Sequence, residues 1–145
     1  MNFSFVTLGP HTNALTFCPR EYGSVGRAIA RARGAGVVLV AAMGNDNPGC
    51  GGTPFDAYPA GYLGVIAVSG TDQNDEFANS TWNYGSGDTY VDVCAPAIEI
   101  RTTGPGNDYP IWSGTSFSAP LVSGLAALIL SVRPSWDAGA NRAVY

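Results

Sequence analysis

Gly114-Thr115-Ser116-Phe117-Ser118-Ala119-Pro120 runs directly into the apolar positions Leu121, Val122, Leu125, Ala126, Leu128, Ile129 and Leu130. Those positions repeat with helical spacing, and no breaker intervenes before Pro134. The spacing predicts a long buried helix with Ser116 in its first turn. Pro120 is expected near the helix start, where a missing amide hydrogen costs little. A serine in that place meets amides that have no acceptor within the helix, and the positive end of the helix dipole. Both favour an anion forming beside it. The plain alternative is that Ser116 caps the helix, as serines ahead of apolar runs commonly do.

A second stretch changes the balance. Val37-Val38-Leu39-Val40-Ala41-Ala42 reads as a buried strand of the parallel type, and it ends in Met43-Gly44-Asn45-Asp46. Together, the Gly-Thr-Ser-x-Ser-Ala-Pro segment and the strand ending in Gly44-Asn45 resemble the subtilisin-like serine proteases. Tyr58-Pro59-Ala60, Val65-Ile66-Ala67-Val68, Phe77-Ala78-Asn79-Ser80, Val91-Asp92-Val93-Cys94-Ala95-Pro96 and Ser113-Gly114 follow in that family's order. The resemblance extends from about Asn2 to Trp136.

Composition sets the frame. A chain of 145 residues suits one domain, and 46% apolar with 12% charged residues is globular rather than disordered. Nineteen glycines and ten prolines imply many loops. The formal charge of −4 makes nucleic acid an unsuitable partner. Cys18, Cys50 and Cys94 lack Cys-x-x-Cys spacing, so no zinc site is expected. Cys94 sits in apolar sequence and reads as a core thiol. Cys18 and Cys50 fall in loop-like sequence, and their pairing is open in a secreted protein. Low charge with abundant Gly, Ser, Asn and Tyr fits an extracellular setting. No signal peptide is read here, and no apolar run is expected to cross a membrane.

In chain order, Asn2 to Thr7 reads as a strand broken by Gly9-Pro10. A helix is expected from about Glu21 to Arg33, with Val25 and Ile29 on one face, Arg27, Arg31 and Arg33 outward or at its end, and Gly34 and Gly36 stopping it. Asn47 to Ala57 is a Gly-rich loop. Its Gly49-Cys50-Gly51-Gly52 lacks the Gly-Lys-Ser/Thr and the following helix of a phosphate loop. Further short strands are expected at Val65 to Ser69, Tyr90 to Val93 and Glu99 to Thr102, with a turn-rich loop at Gly104 to Tyr109. Asp137 to Tyr145 is a tail that starts a final helix at most. Strand, helix, strand in short succession argues a parallel sheet with crossovers. The expected fold is α/β, a three-layer sandwich around a mostly parallel sheet, incomplete on its N-terminal side.

The resemblance implies chemistry. It makes Ser116 the nucleophile of peptide hydrolysis and Asn45 an oxyanion donor, with the Ser116 backbone amide as the second donor. The other reading of Asn45 is a turn residue in left-handed conformation after glycine. In the family one strand pairs with substrate; here Ser4, Phe5 and Val6 fit that role, with Thr7-Leu8-Gly9 as the other register. Ala41, Ala42, Met43 and Gly44 form the opposite wall of the specificity pocket, floored near Ala57-Tyr58, and Thr115 completes the substrate-binding set. No cofactor is required. Calcium is an optional structural ion in the family, and its carbonyl site falls near Ala60, Tyr62 and Val65. The family also implies a cis peptide at Tyr58-Pro59.

The general base is not found. His11 is the only histidine, followed by Thr12-Asn13-Ala14 rather than the family's His-Gly-Thr-His, and it lies after the substrate strand. It reads as a loop residue. The family's acid, an aspartate on the first core strand, has no counterpart either. Residues 1–145 therefore read as the C-terminal part of a peptidase domain whose acid and base lie upstream. Alone, the chain is expected to be inactive and poorly soluble or molten. Its partners are protein or peptide substrates and the missing N-terminal part of its own domain, with neither nucleic acid nor membrane. Two alternatives remain. An α/β-hydrolase elbow needs Gly-x-Ser-x-Gly, but Ser118 occupies the last position. A degenerate, non-catalytic member of the same fold would explain the absent acid and base, but not the retention of both Ser116 and Asn45.

Overall fold

The computed structural model describes residues 2–3, 7–8, 23–45, 57–77, 82 and 91–136. Its elements in order are β1 (Asn2–Phe3), β2 (Thr7–Leu8), α1 (Ser24–Gly34), β3 (Leu39–Ala42), β4 (Ala57–Tyr58), β5 (Val65–Thr71), β6 (Val93–Pro96), β7 (Ile100–Arg101), β8 (Ile111–Trp112) and α2 (Thr115–Val132). The central sheet has the order β1-β3-β5-β6, with every pairing parallel. β2 pairs antiparallel with β4, and β7 with β8.

Strand β3 sets the layers because both its faces are covered. Leu39, Ala41 and Met43 pack with Ile29 of α1 and with Ala60, Val65 and Ala67. Val40 and Ala42 pack on the other side with Val68 and with Ala119 and Val122 of α2. Alternate residues of a strand point to opposite faces, so an unbroken apolar run feeds two cores at once. The result is helix, sheet, helix, the α/β architecture expected from the sequence.

Several boundaries differ from the sequence reading. The expected strand Asn2 to Thr7 is two short strands in different sheets: Phe3 is in register with Ala41, whereas Thr7 pairs with Tyr58. Helix α1 buries Gly26 and Ile29, and Val25 is half-exposed. The buried face is Gly26, Ile29 and the partly buried Ala32; Val25 shares that side by helical spacing but stands in the first turn and stays half-exposed. The helix ends as expected. Gly36 is left-handed at φ 75°, the Gly36 N–H donates to the Arg33 carbonyl, and the Val37 N–H donates to the Ala32 carbonyl. That double closure satisfies the last carbonyls of the helix. β6 lies three residues later than expected and includes Pro96, and β8 had no sequence signal of its own. Pro96 is accommodated because β6 is the edge of the sheet. The Tyr58-Pro59 peptide is cis.

Helix α2 departs most from expectation. Of its 18 residues only Thr115, Ser118, Ala119 and Val122 are buried. Leu121, Leu125, Leu128, Ile129 and Val132 are exposed to between 38% and 74%. The helix is long and apolar enough, by length and composition, to cross a membrane, contrary to the expectation that no run qualifies. Pro120 is its sixth residue, inside the helix rather than in the first turn, and has no N–H to give to the carbonyl four residues back.

Candidate active site

The turn after β3 is built for close approach. Gly44 carries its left-handed backbone at φ 102°, so a glycine takes the strained position and Asn45 follows it. Facing this turn is the start of α2. Gly114, at φ 156°, holds the N-cap position without a side-chain cap, and Ser116 is the second helical residue. Ser116 is thus not the cap that the plain reading offered. It is half-buried in the first turn, at the helix's positive end.

Thr115 joins the two segments. Its hydroxyl accepts a hydrogen bond from the Gly44 N–H at 3.0 Å and donates one to Asn45 Oδ1 at 3.0 Å. Its backbone N–H also donates to Asn45 Oδ1, at 2.9 Å. Two donors on one oxygen define which end of the amide is which, and direct Nδ2 away from Thr115. Gly114 guards the same amide: a Cβ there would stand 3.1 Å from Asn45 Nδ2. Asn45 itself is exposed, while Thr115 is completely buried.

Ser118, the second serine of the motif, has a different task. Its hydroxyl, buried, donates toward the carbonyls of Ala95 at 3.0 Å and Pro96 at 3.1 Å, tying the first turns of α2 to the end of β6. The Gly114 N–H donates to the Ala97 carbonyl at 2.8 Å, which fixes the approach to the helix from the same side. Gly70 permits this packing, since a Cβ there would fall 2.5 Å from that of Ala97 and 2.7 Å from Trp82 Nε1.

The substrate-binding expectations divide. Ser4, Phe5 and Val6 lie outside the described residues, as do His11, Cys18, Asp46 and Cys50. Ala41, Ala42 and Met43 are at most 1% exposed, with their side chains in the two cores. Thr115 likewise turns its hydroxyl to Asn45 and Gly44 instead of outward. Sequence reasoning missed this bridge; the threonine beside Ser116 was in view, but not the residue 70 positions earlier that it holds. Cys94 is half-buried, and desolvation pushes its thiol above the usual value, which keeps it protonated. Among the described residues no group of three or more His, Cys, Asp or Glu could hold a metal ion. At the carbonyl set named for calcium, the Tyr62 carbonyl accepts the Val65 N–H at 3.1 Å, and Val65 opens strand β5.

The subtilase family model matches residues 4–145, a span that includes Asn45, Thr115 and Ser116. The chain belongs to the subtilase family. It is 40% identical over 111 residues to alkaline elastase YaB of Bacillus sp. (strain YaB), covering 77% of this chain and 27% of that protein. It is 37% identical over 119 residues to subtilisin BL of Lederbergia lenta, covering 82% of this chain and 41% of that protein. Among solved structures it superposes on the prenylagaramide maturation protease PagA with a TM-score of 0.72 at 30% identity, over 92% of this chain and 44% of that one. The self-cleaved protease domain of PatA matches with a TM-score of 0.72 at 32% identity, over 94% and 48%. This subtilase chain therefore spans less than half the length of the relatives and structures cited.

Proposed function

We propose that this chain is the nucleophile-bearing part of a subtilisin-type serine endopeptidase that cleaves protein or peptide substrates, in an extracellular setting. Ser116 attacks the scissile carbonyl. Asn45 Nδ2 and the Ser116 backbone N–H receive the oxyanion that forms. The single observation that carries this is the amide of Asn45, whose oxygen is held by two Thr115 donors so that its N–H end is left for an acceptor. Such donors act best when they are oriented before charge develops, because no reorganisation is then needed in the transition state. A non-catalytic member of the fold has no use for that orientation.

The proton on Ser116 needs a base, and the base needs an orienting acid. We assign both to polypeptide outside residues 1–145, and infer that this chain alone does not turn over peptides. A structural calcium is not part of the reading, and no step passes through a metal.

The test uses the full-length gene product with a serine-directed fluorophosphonate and a broad peptide substrate. Labelling and hydrolysis are expected together, and Ser116→Ala should abolish both. Hydrolysis that persists in Ser116→Ala would overturn the assignment. Robust hydrolysis by residues 1–145 alone, lost in His11→Ala, would place the base at His11 instead.

A further inference from the structure

The serines of α2 beyond Ser116 use their hydroxyls in two ways. Ser123 donates to the Ala119 carbonyl at 3.0 Å and Ser131 to the Leu128 carbonyl at 2.7 Å, each within the helix. That is the ordinary local bond of a helical serine. Ser118 donates off the helix. Its one hydroxyl hydrogen is shared between the carbonyls of Ala95 at 3.0 Å and Pro96 at 3.1 Å, and its side chain is wholly buried.

That bond belongs to a seat built under the motif. Three successive carbonyls accept from it: Ala95 and Pro96 from Ser118, and Ala97 from the Gly114 N–H at 2.8 Å. Further along the same segment, the Glu99 N–H donates back to the Ser113 hydroxyl at 3.0 Å. Glu99 holds a left-handed φ of 56°, which a residue with a Cβ keeps where its surroundings impose it. Ser116 lies midway between Gly114 and Ser118, so both ends of its turn are tied to residues 95–97. Residues two apart on a helix point about 200° from each other. Ser118 therefore points into the sheet, while the half-buried Ser116 points to the other side of the turn. Thr115 shares the buried side with Ser118 and carries the clamp on Asn45. We propose that Ser118 is a positioning residue for the hydrolysis. By fixing the back of the first turn on Ala95 and Pro96, its hydroxyl sets where Ser116 Oγ and the Ser116 N–H stand relative to Asn45. It acts through Ser116 and Thr115 and not on substrate. The effect on rate rests on the proposed peptidase reading; the seat rests on geometry.

The experiment uses the full-length gene product. Ser118→Ala is compared with Ser123→Ala, which removes the same group from the same helix but a bond inside it. Hydrolysis of a peptide amide is measured well below Tm. Exchange of the Thr115 amide is read in a Ser116→Ala background, against that of Leu39–Ala42. Ser118→Ala should lower kcat about tenfold with KM little changed, because a small displacement of the attacking group is enough. The Thr115 amide should exchange faster while Leu39–Ala42 keep their rates, and Ser123→Ala should change neither readout. If the alanine variant does not fold, Ser118→Cys serves the same comparison, since a thiol keeps the volume and donates weakly. The proposal fails if kcat falls by less than about threefold, or if the loss appears in KM instead. It fails equally if Tm falls while kcat and Thr115 exchange hold, or if Ser123→Ala has the same effect. The exchange readout needs no hydrolysis. A Thr115 amide that quickens in a protein with no hydrolytic activity would sink the peptidase reading and leave the positioning of the turn standing.

Discussion

The two halves of helix α2 are made from similar residues and behave oppositely. In the first half, Thr115, Ser118, Ala119 and Val122 are buried, and hydroxyls reach across to Asn45, Ala95 and Pro96. In the second half, Leu125, Leu128 and Val132 are more than half exposed although they are larger and more apolar. Hydrophobic spacing says which side of a helix is to be buried. It does not say whether a partner surface is there to bury it. The polar end of α2 is the buried end because its small residues let the helix lie close on the sheet, where hydrogen bonds to backbone carbonyls can form.

The sharpest way to break this contrast is at the polar end. In the complete enzyme, Asn45→Ala is expected to lower kcat about 10²–10³-fold with little change in KM. That magnitude is the one known for the oxyanion asparagine of subtilisin itself, and is taken over from it. A loss confined to KM would mean that Asn45 positions substrate and does not serve the transition state.

Next in size is Thr115→Val, which keeps the shape and removes the hydroxyl. It leaves the buried Gly44 N–H without its acceptor and Asn45 Oδ1 with one donor instead of two. The expected cost is about 1–3 kcal/mol in unfolding stability, with a fall in kcat smaller than that of Asn45→Ala. Thr115→Ser should restore most of both. Equal kcat in the valine and serine variants would show that the amide is oriented without the hydroxyl.

At the apolar end the expected effect is on association more than on fold. Residues 1–145 expressed alone should self-associate and enhance the fluorescence of a dye for exposed apolar surface. Leu125→Ser with Leu128→Ser should reduce both. A monomeric chain with no dye binding would mean that the second half of α2 is covered after all.

The smallest effect is expected at the loop after β5. The Asp72 carboxylate accepts the backbone N–H groups of Glu76 at 3.0 Å and Asn74 at 2.8 Å, which hold its pKa below 3.8. A depressed acid contributes stability above its unfolded value and loses it as the pH falls through the folded one. The loop should therefore loosen progressively as the pH falls through and below the ordinary carboxylate range, seen as faster exchange of the Asn74 and Glu76 amides. Asp72→Asn should remove that pH dependence; loosening at higher pH would point to another group.

Local pattern was enough for helices α1 and α2, for strands β3 and β5 and for the end of α1. Each of those depends on residues within a few positions: an apolar run for β3, and glycines at the close of a helix. It also marked Ser116 and Asn45, since the Gly-Thr-Ser-x-Ser-Ala-Pro segment and the Gly-Asn turn are themselves local. Tertiary contact decided the rest. The half-exposure of Val25, which shares the side of α1 that buries Ile29, depends on what lies opposite the first turn of the helix. The polarity of the Asn45 amide is decided by Thr115, 70 residues away in sequence, a contact that no window along the chain contains. The exposure of Leu125, Leu128 and Val132 is likewise a matter of what lies opposite them in space, because burial is a property of two surfaces and a sequence segment supplies one.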